Sequence, residues 1–289
     1  MKKSLLIYVA SLLLFGTNGI VAAAIPLQST QIVMLRTLIG APLVVVFAYV
    51  IKRKGESARP KNLSKQVLCI VASGICTGFS WVTLYEAYNL IGVGISSLEY
   101  YCAPVIVVVA SIVLFKEKLC AHKTAGFALA LLGTFIIGSE VALEGGSVIG
   151  LVLGAVSALC HAGMVIFSKQ APDITGAVSC AIQLALSFLI ASIFVAATSG
   201  FSFVAEIPLN SWPFIVFLGL ANTGLGCLMY FTAILRLPAQ TVATLGYLEP
   251  LSAVVFAAVL LGEGMGVLQW IGAAMVIGGS LVTEMKKDH

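Results

Sequence analysis

Charge is scarce in this chain. Of its 289 residues, only 10% are Asp, Glu, Lys or Arg, against about a quarter in ordinary soluble domains. A soluble fold of this size needs more charge than that to keep its surface wet. The shortage excludes a soluble enzyme, a nucleic-acid binder and a disordered tail. Long polar stretches are missing too. The longest loops cover about 52–65 and 199–210, too short for a separate soluble domain.

Catalytic signatures are also lacking. The chain contains no GxxxxGK[ST], HExxH or GxSxG pattern, so it carries neither an ATP-hydrolysing loop nor the catalytic set of an intramembrane lipid-modifying enzyme. It has seven cysteines but no CxxC pair, which argues against zinc and against a redox dithiol. Buried small hydrophobes are the expected use of those thiols. No catalytic residue, metal or cofactor is expected, and the chain is read as not an enzyme.

Apolar residues make up 60% of the chain, with a mean hydropathy of +1.08. They fall in long unbroken runs rather than the polar/apolar alternation of a membrane barrel. A helix needs about 20 apolar residues to cross a ~30 Å hydrocarbon core. Breaks at charges, prolines and glycines give ten such segments, at about 4–24, 30–51, 66–89, 94–115, 122–140, 147–168, 176–198, 211–235, 239–261 and 265–283. The expected fold is an all-α integral membrane protein of ten transmembrane helices. Lys2-Lys3, the apolar run and Ala22-Ala23-Ala24 also resemble a secretory leader, but the first span is needed to complete the repeat below.

Under ten spans, one set of loops holds fifteen of the sixteen lysines and arginines, and the other holds Glu140, Glu144, Glu206 and Glu263 instead. The positive-inside rule then predicts a multi-pass protein of the cell membrane with both termini cytoplasmic. The basic stretch at 52–65 reads as a topology determinant before it reads as an anionic-lipid site.

Residues 98–137 align without gaps on 244–283, an offset of 146 residues. Pro104 falls on Pro250, Glu117 on Glu263, Gly126 on Gly272, Gly133 on Gly279 and Tyr101 on Tyr247. Each copy holds five helices, so the second enters the membrane from the opposite side. Inverted repeats of this kind mark secondary transporters, with a solute site near mid-membrane. The repeats are expected at 1–140 and 147–285.

The run Tyr230-Phe231-Thr232-Ala233-Ile234-Leu235-Arg236-Leu237-Pro238-Ala239, followed by Tyr247-Leu248-Glu249-Pro250, Leu261-Gly262-Glu263 and Trp270-Ile271-Gly272, resembles an EamA domain. That is the repeat unit of the drug/metabolite transporter superfamily, and the first half resembles a weaker copy. The resemblance implies ten helices in two inverted five-helix repeats around a central cavity. It implies transport of amino acids, other small metabolites or nucleotide-sugar-like solutes. It identifies a fold better than a substrate.

Ionisable groups within a span are expensive, at least ~2.5–3.5 kcal/mol each at the bilayer centre, and are functional candidates. Arg36, about six residues in from its span's outer end, is suited to clamp a solute carboxylate. Pairing with Glu86 or Glu99, or snorkelling to headgroups, is the structural alternative. Glu249 precedes Pro250, whose ring frees a backbone carbonyl one turn earlier. Carboxylate and carbonyl together suit a proton, a cation or a solute amine, or else brace a broken helix. Pro104 and Pro250 are the candidate hinges. His161 either shuttles protons or bonds to a neighbour. Trp81, Tyr85 and Tyr88 share one face of span 3, and Tyr100, Tyr101, Tyr230 and Tyr247 are further aromatic candidates. Asn18, Gln183 and Asn222 are the main intramembrane amides. The candidate cavity set is thus Asn18, Arg36, Trp81, Tyr85, Glu99, Tyr101, His161, Asn222, Tyr230, Tyr247 and Glu249.

Glu117 and Glu263 are expected to position loops. The paired glycines of spans 5 and 10 let helices approach closely, within the chain before any homodimer. The expected partners are a small-molecule solute and membrane lipid, without nucleic acid. The function read from all this is a secondary transporter, an exporter of a small metabolite such as an amino acid, driven by protons or by exchange. An uncoupled channel-like facilitator is the alternative, and an intramembrane lipid-modifying enzyme a more remote one.

Overall fold

A computed structural model gives the fold. The residues it describes are 2–54, 62–103, 106–107, 110, 121–143, 146–174, 176–234, 237, 245–246 and 248–284. Among them there is no strand. Six helices are long and apolar enough to cross a membrane: Lys2–Ala23, Ser29–Val50, Leu63–Ile91, Val148–Lys169, Gly176–Thr198 and Leu209–Tyr230. These are spans 1, 2, 3, 6, 7 and 8. Helix Val93–Tyr100 begins span 4, Ala121–Leu143 is span 5, Leu248–Leu261 ends span 9 and Val267–Glu284 is span 10. The chain is therefore an all-helical membrane protein, and the described helices fall where the apolar runs predict spans. Large apolar side chains such as Leu6 (71% exposed) and Phe135 (73% exposed) point outward, as a lipid-facing surface requires.

Local chemistry sets the helix ends. The Ser147 hydroxyl accepts the Gly150 N–H at 3.1 Å and caps span 6. Gly92, with φ +84°, ends span 3, and Gly262, with φ +68°, ends span 9. Both turns need a positive φ, which glycine adopts without a Cβ clash. A side chain at Gly92 would also strike the Glu263 carboxylate. That carboxylate accepts the Val93 N–H on Oε1 at 2.8 Å and the Gly94 N–H on Oε2 at 2.9 Å. Glu263 thus ties the end of span 9 to the N-terminus of the span 4 helix, the positioning role expected of it. Its repeat counterpart, Glu117, lies outside the described residues.

Two spans are irregular. Span 1 breaks at Thr17, between helices Lys2–Gly16 and Asn18–Ala23. The Asn222 amide braces the break by donating to the Leu14 carbonyl (2.8 Å), Thr17 Oγ1 (3.0 Å) and Asn18 Oδ1 (3.1 Å). Span 8 widens into a π-helical stretch over Phe217–Leu225, where Thr223 Oγ1 donates to the Leu218 carbonyl five residues back. Such wide turns often sit at functional sites.

The packing follows the repeat. Span 3 lies on span 6, and span 8 on span 1; span 3 lies on span 7, and span 8 on span 2; span 4 lies on span 6, and span 9 on span 1. Each contact in a pair becomes the other when every span number moves by five. Spans 2 and 7, 4 and 9, and 5 and 10 pair with their own counterparts. The glycine stripes of spans 5 and 10 face each other. A Cβ on Gly133 would sit 2.5 Å from the Gly272 carbonyl, and one on Gly279 would sit 2.5 Å from the Gly126 carbonyl. These glycines serve close packing within the chain.

Candidate functional site

A cavity of about 830 Å³ lies between the two halves. Of the residues singled out in the sequence, Asn18, Arg36, Trp81, Tyr85, Tyr101, His161, Asn222, Tyr230 and Glu249 all line it, drawn from both repeats. Tyr247 and Pro104 lie outside the described residues. Pro250 is buried in helix Leu248–Phe256 and does not line the cavity. Having no N–H, it cannot donate to the Gly246 carbonyl four residues earlier, and Gly246 does line the cavity.

Arg36 is buried, 3% exposed, in span 2. Its Nε donates to Thr223 Oγ1 at 3.0 Å, Nη1 to the Tyr85 hydroxyl, and Nη2 to Asn18 Oδ1 at 3.3 Å. Its guanidinium carbon lies 4.4 Å from the Trp81 ring centroid and 5.4 Å from that of Tyr85, within cation–π range. Dipoles and ring faces hold the charge here. The expected structural pairing with Glu86 or Glu99 is not found: Glu86 accepts the Ser29 hydroxyl at 2.6 Å, and Glu99 points elsewhere. A guanidinium has five N–H donors. Three are engaged, leaving one on each terminal nitrogen without a partner among the described residues.

Glu249 faces the Tyr101 hydroxyl and lies within reach of the Arg36 charge. The Tyr100 hydroxyl shares a hydrogen bond with His161 Nδ1, so the histidine is held by a neighbour. Asn222 Oδ1 is buried and has no hydrogen-bond partner among the described residues. The cavity therefore offers free cationic donors and a carboxylate, set among aromatic rings. This combination fits a solute bearing both an acceptor and a donor group.

Glu99 does not belong to this set, which corrects the expectation for it. Ser97, Tyr100 and Tyr101 share one helical face and line the cavity. Glu99 falls on another face, at 4% exposure, against Gly154 of span 6. Depth along a span is legible from sequence, but the facing direction follows from packing.

Several lining residues carried no functional expectation. Tyr8, Leu12, Phe15, Gly16 and Gly19 of span 1 all line the cavity. Their spacing of 4, 3, 1 and 3 residues marks one helical stripe, a signal masked by the apolar run around it. Thr223, the partner of Arg36, carried no signal at all.

At its other end the cavity reaches Lys169, Pro172, Ile174 and Gly176, which join spans 6 and 7. On the opposite face lies a second cavity of about 1040 Å³, lined by Gln28, Ser29, Gln31, Glu86, Asn89 and Glu206 among others. An apolar cluster including Ile25, Leu84, Tyr85 and Phe203 contributes to both cavity walls and so lies between them.

The family profile described as the EamA-like transporter family matches residues 2–139 and again 148–285. The chain is 25% identical over 286 residues to the uncharacterized transporter YxxF of Bacillus subtilis, covering 97% of this chain and 89% of that one. It is 28% identical over 256 residues to an uncharacterized transporter of Haemophilus influenzae, covering 86% and 82%. A protein of known crystal structure superposes with a TM-score of 0.62 at 19% identity, over 98% of this chain and 97% of the other. At that identity the likeness concerns fold alone.

Proposed function

The chain belongs to the EamA-like transporter family, and on that premise we propose that it exports a small metabolite, such as an amino acid, by alternating access. One observation carries this reading. Arg36 is buried in the cavity with two N–H donors unengaged and no carboxylate hydrogen-bonded to it among the described residues. A solute carboxylate matches that fork. Glu249 provides the acceptor for an ammonium group, and Trp81, Tyr85 and Tyr101 surround the rest of the solute.

The cavity meets the loop carrying Lys169, on the face rich in lysine and arginine. The positive-inside rule makes that face cytoplasmic, with both termini on it, in the cell membrane. The conformation is then inward-facing. Glu263 and the apolar layer around Tyr85 close the outer side. Exchanging the conformations of the two halves closes the inner side and opens the outer one. A proton gradient or exchange supplies the energy.

The test is counterflow in proteoliposomes, with a panel of labelled amino acids and neutral metabolites. Saturable counterflow of one solute class is the expected result. Absence of flux across the panel from folded protein removes the amino-acid reading. Flux that never saturates and shows no counterflow identifies a channel-like facilitator instead.

A further inference from the structure

Glu99 is a buried carboxylate that the cavity does not use. It is 4% exposed, and its Oε2 is fully buried without a hydrogen-bond partner among the described residues. Burying a charged carboxylate unpaired is strongly unfavourable, and an acid at such a place in a membrane is rare without a task. The neighbouring span leaves room for it, since a Cβ on Gly154 would land on Oε2.

The other half shows that the fold needs neither residue. At the 146-residue offset, Glu99 corresponds to Leu245 and Gly154 to Tyr8. There Leu245 packs against a cluster containing Tyr8, Leu12 and Ala233, an ordinary apolar junction. One half thus fills this junction with leucine and tyrosine, while the other reserves a notch for an acid.

No cation answers that acid among the described residues. On its own strand of chain, the Cys102 thiol is its ionisable neighbour. Span 6 brings Cys160 and His161, the latter bonded to Tyr100. Span 9 brings Glu249, which faces Tyr101, and beyond it Glu263, which is engaged by Val93 and Gly94. Span 3 brings Tyr88, next to Ser97, and Glu86, which holds Ser29. Residues 124–139 of span 5 contain no ionisable side chain, and Thr134 there bonds Cys102.

We propose that Glu99, in the Gly154 notch between spans 4 and 6, is a proton-binding site separate from the solute cavity, and that it couples transport to the proton gradient. The coupling rests on the carrier reading above; the proton site does not. A bound proton neutralises the acid, which then packs as it does here. Release requires the contact between spans 4 and 6 to open. That contact repacks when the halves trade conformations, so proton release is tied to the conformational cycle.

Infrared difference spectra of the purified full chain between acid and alkaline buffer test the site without any solute. The expected result is a protonated-carboxyl C=O band that Glu99→Gln removes and Glu249→Gln leaves in place. Identical spectra for wild type and Glu99→Gln overturn the proposal. Should Glu99→Gln fail to fold, Glu99→Met replaces the acid by an apolar chain of similar length and serves the same comparison. The transport arm uses whichever labelled amino acid shows counterflow. Glu99→Gln is expected to keep counterflow and lose all stimulation by a pH gradient. Wild-type counterflow that ignores a pH gradient overturns the coupling while leaving the carrier intact. Failure of counterflow in folded wild type overturns the carrier reading, and the infrared band still decides the site.

Discussion

Arg36 in the first half stands where Ile182 stands in the second, and Glu249 in the second where Ala103 stands in the first. His161 is matched by Phe15, and Trp81 by Cys227. Yet the helices that carry these residues pack by one scheme, used once in each half. Backbone symmetry allows two conformations of similar energy. Side-chain asymmetry leaves one arginine, Arg36, among the described lining residues, and on the proposed function a solute then has one orientation in which to bind. The comparison separates movement from recognition, and substitutions can press on each.

The largest effect is expected at Arg36. Arg36→Met removes charge-assisted hydrogen bonds worth about 1.5–3 kcal/mol each, so counterflow at low solute concentration should fall about a hundredfold. The mirror change, Ile182→Met, conserves volume and should leave counterflow within about twofold. Equal losses would erase the distinction between the halves. Next, Glu249→Gln should lower amino-acid counterflow about tenfold, the loss of one charged acceptor worth about 1.5 kcal/mol, with expression intact as read by protein yield. Normal transport by that variant would remove Glu249 from recognition.

Smaller effects are expected in the symmetric framework. Gly133→Ala forces a methyl group against the Gly272 carbonyl and should destabilise the protein by about 1–3 kcal/mol, visible as a lower melting temperature in detergent. Gly264→Ala, where no atom lies within 4 Å of an added Cβ, should leave the melting temperature unchanged. Smallest is Glu263→Gln. It keeps an acceptor but loses the charge at the span 4 N-terminus, worth about 0.3–1 kcal/mol. A slight drop in melting temperature is expected, together with easier labelling of cysteines placed on the outer face.

The ten spans were legible because crossing a membrane demands a run of apolar residues, and breaks such as Lys52-Arg53-Lys54 stand out against them. The positioning role of Glu263 was legible from its place at a span end. The surroundings of Arg36 were not. Its partners Thr223 and Tyr85 lie 187 and 49 residues away, and a threonine in an apolar span looks like any other. The π-helical turn that presents Thr223 leaves no mark in composition. Glu99 and Glu249 look alike as intramembrane acids, and only helix packing turns one toward the solute cavity and the other away from it.

The seam between spans 5 and 10 has a further consequence. Gly133 meets Gly272, and moving both by 146 residues in opposite directions gives Gly279 against Gly126, a contact also present. The seam is its own mirror image. When the two halves trade shapes, this contact maps onto itself, so nothing in it has to break. In the proposed cycle it serves as an axle about which the gates turn. A cross-link across it should leave the carrier running, and a label fixed there gives a stationary reference for measuring how far the other spans travel.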